Sequence, residues 1–160
     1  MLSKVITSED APKAIGPYSQ GIKLGDFVYL AGQIALDKDN ELVNGDIKEQ
    51  TLQIVMNIVA LLSEINLELR HIVKTTVYLT DLDLFDDFNE IYATYFAHPY
   101  PARSTVEVSR LPKGALVEID CFAIDTTVYE EKFGTNTYNS DDYPEVDCED
   151  CESGCCEGCD

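Results

Sequence analysis

Residues 115–124 read Ala-Leu-Val-Glu-Ile-Asp-Cys-Phe-Ala-Ile, a strand that is apolar on both sides. Successive side chains of a strand point to opposite faces. Val117, Ile119, Cys121 and Ala123 therefore share one face, and Leu116, Glu118, Asp120, Phe122 and Ile124 share the other. A sheet built around this strand needs cover on both faces. Helices of the same chain can supply one cover, and other subunits are the simplest source of the second.

The rest of the chain supplies such helices. Asp46 has Glu49 three residues on, the pattern of a capping box. Ile47, Ile54, Ile58, Leu61, Leu62 and Ile65 follow at near-helical spacing, which predicts a helix over 47–65. A second helix is predicted over 83–97, with Leu84, Phe88, Ile91, Tyr92, Tyr95 and Phe96 as its buried stripe. Pro99 and Pro101 stop it. Strands are predicted at 21–24 and 27–31, at 71–79, and at 103–108 and 115–124. Gly25-Asp26 makes a tight turn, Gly32 ends the second strand, and 110–114 fits a hairpin-like turn. With one further strand that is not placed by residue number, the order is β-β-β-α-β-α-β-β, an α/β (α+β) fold with a mixed six-stranded sheet and two helices on one face.

Charge divides the chain. Of 160 residues, 1–128 carry 10 Lys+Arg and 19 Asp+Glu, while 129–160 carry 1 and 11. The net charge of −19 disfavours nucleic-acid phosphates and anionic lipid as partners. No apolar run approaches the roughly 20 residues of a membrane span, and residues 1–7 lack a signal-peptide core, so the expected compartment is the cytoplasm. From about residue 129 the composition turns polar and acidic without periodicity. The expected division is one domain over 1–128 and a flexible acidic tail over 129–160.

Five of the six cysteines fall in that tail, at Cys148, Cys151, Cys155, Cys156 and Cys159. Two Cys-x-x-Cys pairs could ligate zinc or another soft metal. Four residues between the pairs are fewer than in a zinc ribbon, and acidic neighbours disfavour thiolates unless a cation binds. An unstructured tail with reducible thiols is the alternative.

Several segments together resemble the Rid (YjgF) family. They are Gly16-Pro17-Tyr18-Ser19-Gln20, Val28-Tyr29-Leu30-Ala31-Gly32-Gln33-Ile34, Val73-Lys74-Thr75-Thr76-Val77-Tyr78-Leu79-Thr80-Asp81 and Phe88-Asn89-Glu90-Ile91-Tyr92-Ala93-Thr94-Tyr95-Phe96. Pro101-Ala102-Arg103-Ser104-Thr105-Val106-Glu107-Val108 and Leu111-Pro112-Lys113-Gly114-Ala115-Leu116-Val117-Glu118-Ile119 complete the set, in register over roughly 1–126. The resemblance implies a chorismate-mutase-like fold and a homotrimer with a barrel-like centre, its active sites in clefts between subunits. It implies hydrolysis of reactive 2-imino acids, intermediates of pyridoxal-dependent enzymes, to 2-oxo acids and ammonia, without a cofactor for catalysis.

Three tasks follow from that chemistry: hold the carboxylate, guide water to the imine carbon, and move protons to the nitrogen. Arg103 offers the planar two-donor fork that a carboxylate needs. Glu118, in a strand otherwise rich in apolar groups, is placed to trade protons near neutrality; an interface salt bridge is its structural alternative. Tyr18 offers a phenol, or simple packing. Asn89 and Gly32 join the site on the resemblance, as do Ala31, where the family often has serine, and Thr105, where cysteine is common. His71 and His98 sit in no nucleophile pattern and read as structural or surface residues, and no Gly-rich phosphate loop is present. Two other functions compete: a non-catalytic trimer that binds a small carboxylate for regulation, and a metal- or redox-responsive interaction protein acting through its cysteine tail. Ribonuclease activity, also attributed to the family, fits the acidic charge least.

Overall fold

The computed structural model describes residues 3–133. The capping box at Asp46 forms as its spacing predicts. The Asp46 carboxylate accepts the backbone N–H groups of Lys48 and Glu49, and Glu49 reaches back to the Asp46 N–H at 2.9 Å. Helix α1 then runs over Ile47–Ser63, two residues short of the predicted end. Its Ile54, Ile58, Leu61 and Leu62 are wholly buried. Each such side chain removed from water contributes about 2 kcal/mol before chain entropy is counted.

The sheet has six strands: β1 (Ser3–Ile6), β2 (Gly21–Leu24), β3 (Phe27–Ile34), β4 (Ile72–Leu79), β5 (Ala102–Glu107) and β6 (Val117–Ile124). Their spatial order is β1-β2-β3-β6-β4-β5. β5 lies parallel to β4 and is reached through the crossover helix α2 (Phe85–Tyr95). A parallel pair needs such a long connection. β6 is antiparallel to both β3 and β4 and fills the centre. The connection over 110–114 is therefore not a hairpin: β5 and β6 are separated by β4. Lys113 and Gly114, both at positive φ (56° and 77°), turn the chain so that it re-enters the sheet on the far side of β4.

The predicted second helix is shorter than 83–97. A 3-10 turn covers Leu82–Leu84, capped by the Asp81 side chain at the Asp83 N–H, before α2 begins. The stretch from residue 129 is also not all tail. Helix α3 spans Thr127–Phe133. Asp125 supplies its missed start, accepting from the Thr127 N–H at 3.1 Å and pairing with Lys23, and Glu130 pairs with Arg70 at 2.9 Å. The five tail cysteines lie outside the described residues.

Helices α1 and α2 cover one sheet face. The other face carries Val5, Ile22, Leu24, Phe27 and Tyr29, each at least 40% exposed, in rows with Phe122 and Ile124. Phe122 stacks on Phe27 and Tyr29 with ring centroids 6.0 and 5.0 Å apart. The two-sided apolar character of β6 is thus real, and a single chain leaves one side open.

Asn57 ties α1 to the end of β3. It is 1% exposed and donates to the Leu36 carbonyl at 2.9 Å and the Ile34 carbonyl at 3.4 Å. Asn57→Ala leaves those buried acceptors without that donor. Urea titration should show a loss of about 2 kcal/mol in unfolding free energy. A loss below roughly 0.5 kcal/mol would mean that water takes over the amide's bonds.

Candidate functional site

The expected site residues fall into two groups on opposite faces of the sheet. Glu118 is half-buried on the open face of β6. It sits across from Tyr78 on β4 and from Ile34 on β3. Between Leu30 and Gln33 the β3 ladder gains one residue on β6, a bulge at Ala31 and Gly32. Bulges re-aim a strand locally, and here the bulge brings the Gly32 backbone against the Glu118 carboxylate. A Cβ on Gly32 would stand 2.0 Å from Glu118 Oε1. Glycine is required there by that close approach, and the strand does not end at Gly32 but continues to Ile34.

Tyr18 closes the same group. Gln20, 5% exposed, fixes the segment that carries it: the Ser8 N–H donates to Gln20 Oε1 at 3.0 Å, and Gln20 Nε2 donates to the Pro12 carbonyl at 2.7 Å. The Ile15 N–H donates to the Tyr18 phenol oxygen at 3.2 Å. That leaves the phenol's own proton directed elsewhere. Tyr18, Ala31, Gly32 and Glu118 line one open cavity of about 310 Å3, with Ile15 and Pro112 as apolar wall.

Burial, and then the negative charge of Asp120, raise the Glu118 carboxyl above its ordinary range. Asp120 lies two residues along the same face and accepts from the Tyr78 hydroxyl at 3.1 Å. Removing a like charge favours the ionised form. Asp120→Asn should therefore move the Glu118 titration to lower pH, read from its carboxyl carbon by NMR. An unchanged or upward shift would show that Asp120 does not act on Glu118. Sequence reading passed over Asp120 and Tyr78; the alternation of β6, which puts both carboxylates on one face, was the available signal.

Arg103 belongs to the helix face. It pairs across β4 with Thr75, which is buried and hydrogen-bonded to the Tyr92 hydroxyl at 2.9 Å. The guanidinium stacks over α2: its carbon is 4.8 Å from the Tyr92 ring centroid, 5.4 Å from Phe85 and 5.6 Å from Phe88. The stack holds the fork flat without using its N–H donors. Among the described residues Arg103 has no ion pair. Arg103 and Asn89 line a second cavity of about 400 Å3 with Phe85, Tyr92 and Tyr100. Thr105 is two residues on along the same face of β5. Tyr92 reads from sequence as a stripe residue only; its place under the guanidinium needs the fold.

Within one chain the two groups cannot meet on a small molecule. Glu118 and Arg103 pair with β4 positions three residues apart, Tyr78 and Thr75, on strands flanking β4. Strand spacing and rise put their Cα atoms roughly 14 Å apart, with side chains on opposite faces. His71 is buried, its Nδ1 3.0 Å from the Glu68 N–H, and the His98 ring packs 4.1 Å from Tyr100, so neither belongs to the Glu118 cavity. Among the described residues no group of three or more His, Cys, Asp or Glu is arranged to hold a metal, and no helix is long and apolar enough to cross a membrane.

A family model described as endoribonuclease L-PSP matches residues 8–125. A RutC family protein of Pyrococcus abyssi is 52% identical over 124 residues, 77% of this chain and 98% of that protein. A mouse protein named 2-iminobutanoate/2-iminopropanoate deaminase is 40% identical over 125 residues, covering 78% of this chain and 93% of its own. Among solved structures, the Rid family protein YyfA of Yersinia pestis superposes with a TM-score of 0.74 at 48% identity, over 76% of this chain and 98% of that one. Escherichia coli TdcF, crystallised with bound serine, gives 0.72 at 39% identity over the same shares.

Proposed function

Because this chain belongs to the endoribonuclease L-PSP (Rid) family, we propose that it is an imine deaminase. It hydrolyses 2-imino acids to 2-oxo acids and ammonia as a homotrimer, at clefts where the Arg103 face of one subunit meets the Glu118 face of the next. The observation that carries this reading is the division of the site. Each face holds half of what the reaction needs, on its own open cavity, roughly 14 Å from the other half by sheet spacing. The uncovered apolar sheet face supplies a reason for chains to associate. The mouse relative's name supports the reaction class.

In this reading Arg103 clamps the substrate carboxylate with two parallel N–H bonds. Its stack on Tyr92, Phe85 and Phe88 keeps the fork aligned, so little order is lost on binding. Glu118, raised toward neutrality, takes a proton from the attacking water and returns it to the nitrogen. The Tyr18 hydroxyl proton is a second donor at the same cavity. Water adds to the C=N carbon with one of its protons passing to the nitrogen; the second then passes from the carbinolamine hydroxyl to the nitrogen as the C–N bond breaks, so ammonia leaves and the carbonyl remains. These steps need no group beyond the chain's own side chains and water.

The test is direct. Imines generated in situ by an amino acid oxidase should lose ammonia faster in the presence of the trimeric protein. No acceleration by folded trimers would leave the alternative of a carboxylate-binding regulator, which needs Arg103 but not Glu118.

A further inference from the structure

The cavity beside Arg103 is larger than a carboxylate and an imine require. It is an open cavity of about 400 Å3, whereas a water's share of liquid volume is about 30 Å3. Past the guanidinium and the Asn89 amide its wall is hydrocarbon and aromatic. The Tyr92 hydroxyl is engaged by Thr75, and its ring, 4% exposed and packed against the Arg103 guanidinium and the Phe96 ring, forms part of the lining. Ala93, the next residue on α2, contributes only a methyl, and Pro101 lies opposite. Tyr100 stands at the outer edge, 46% exposed, with its ring against that of His98.

Given the imino acid reading above, we propose that this cavity is a side-chain subsite selecting 2-imino acids with branched or aromatic side chains over those as small as 2-iminopropanoate. Ala93 and Tyr100 are its specificity-determining residues. A substrate clamped on Arg103, its imine turned toward the neighbouring subunit's Glu118 face, has one substituent left to place. A methyl in that position leaves most of the cavity to water, and a larger hydrocarbon displaces that water. Each buried methylene should tighten binding about fourfold. Ala93→Leu fills the cavity from the α2 side, and Tyr100→Ala removes an aromatic part of its wall.

The 2-oxo acid products serve as probes that need no turnover. Pyruvate, 4-methyl-2-oxopentanoate and phenylpyruvate would be titrated by calorimetry into the full-length trimer, its Ala93→Leu and Tyr100→Ala variants. The two larger acids should bind wild type at least about tenfold more tightly than pyruvate. Either variant should bring that ratio below about threefold. Equal affinities in wild type, or a ratio that survives both substitutions, overturn the subsite. Imine hydrolysis measured on the same samples separates the two readings: a preference without turnover defeats the deaminase but keeps the subsite, and turnover without preference does the reverse.

Discussion

Trimers reassembled from equal amounts of Arg103→Ala and Glu118→Ala chains should recover activity that neither variant has alone. Each pure variant lacks one half of every cleft. Losing a charge-assisted two-point clamp costs about 3 kcal/mol, a fall of over a hundredfold. Losing the proton-transfer group costs a hundredfold or more. In a mixed cyclic trimer each cleft draws its arginine from one chain and its glutamate from the neighbour. A cleft is intact when the first chain is Glu118→Ala and the second Arg103→Ala, which happens in about a quarter of random pairings. Mixing after denaturation and refolding should therefore restore about a quarter of wild-type activity. A site built within one chain predicts no recovery, because no chain in the mixture carries both residues. Recovery near zero from well-folded trimers would remove the between-subunit cleft from the proposal.

The division of the site explains what the sequence could and could not disclose. Asp46 and Glu49 lie three residues apart on one turn, so the capping box that starts α1 is legible locally and forms as read. The two-faced apolar pattern of β6 is also local, and it correctly leaves a second face uncovered. β6 enters between β3 and β4, though, and nothing in residues 110–114 records which strands will be its neighbours. The hairpin reading failed there because a turn's composition fixes its bend and not its destination. The start of α3 was missed for a different reason: Asp125 caps it by side-chain bonds inside an acidic stretch whose composition resembles tail. β1 carries Lys4 and a single buried residue, Ile6, too little alternation to mark a strand. For the candidate site, Arg103, Glu118, Tyr18 and Gly32 were proposed from motifs that report residue identity. The face on which each lies depends on pairing register, which only the folded sheet fixes. Hence the motif reading gave one set of residues, and the fold places them in two groups on opposite faces of the sheet.

Gly32→Ala should inactivate the protein while leaving it folded, and that contrast tests the bulge as a positioning device. The added methyl would meet Glu118 Oε1 at 2.0 Å, its carboxyl carbon at 2.9 Å and its Cγ at 3.2 Å. These atoms belong to the end of a flexible side chain, so the carboxylate swings away and the backbone need not move. The cost to stability is correspondingly small, about 1 kcal/mol of overpacking. A misplacement of about 1 Å at a reacting group costs on the order of a hundredfold in rate. The loss should appear in kcat, with KM for the imine nearly unchanged, because Arg103 lies on the other half-site and keeps its hold on the carboxylate. The raised proton affinity of Glu118 should also relax, since a side chain pushed toward solvent loses the burial that is its main cause. Its titration would move to lower pH in the variant. A Gly32→Ala protein with wild-type kcat would show that the Glu118 carboxylate does not act from its position over Gly32, and the water-handling role would pass to another group of the same cavity, with Tyr18 the first to examine.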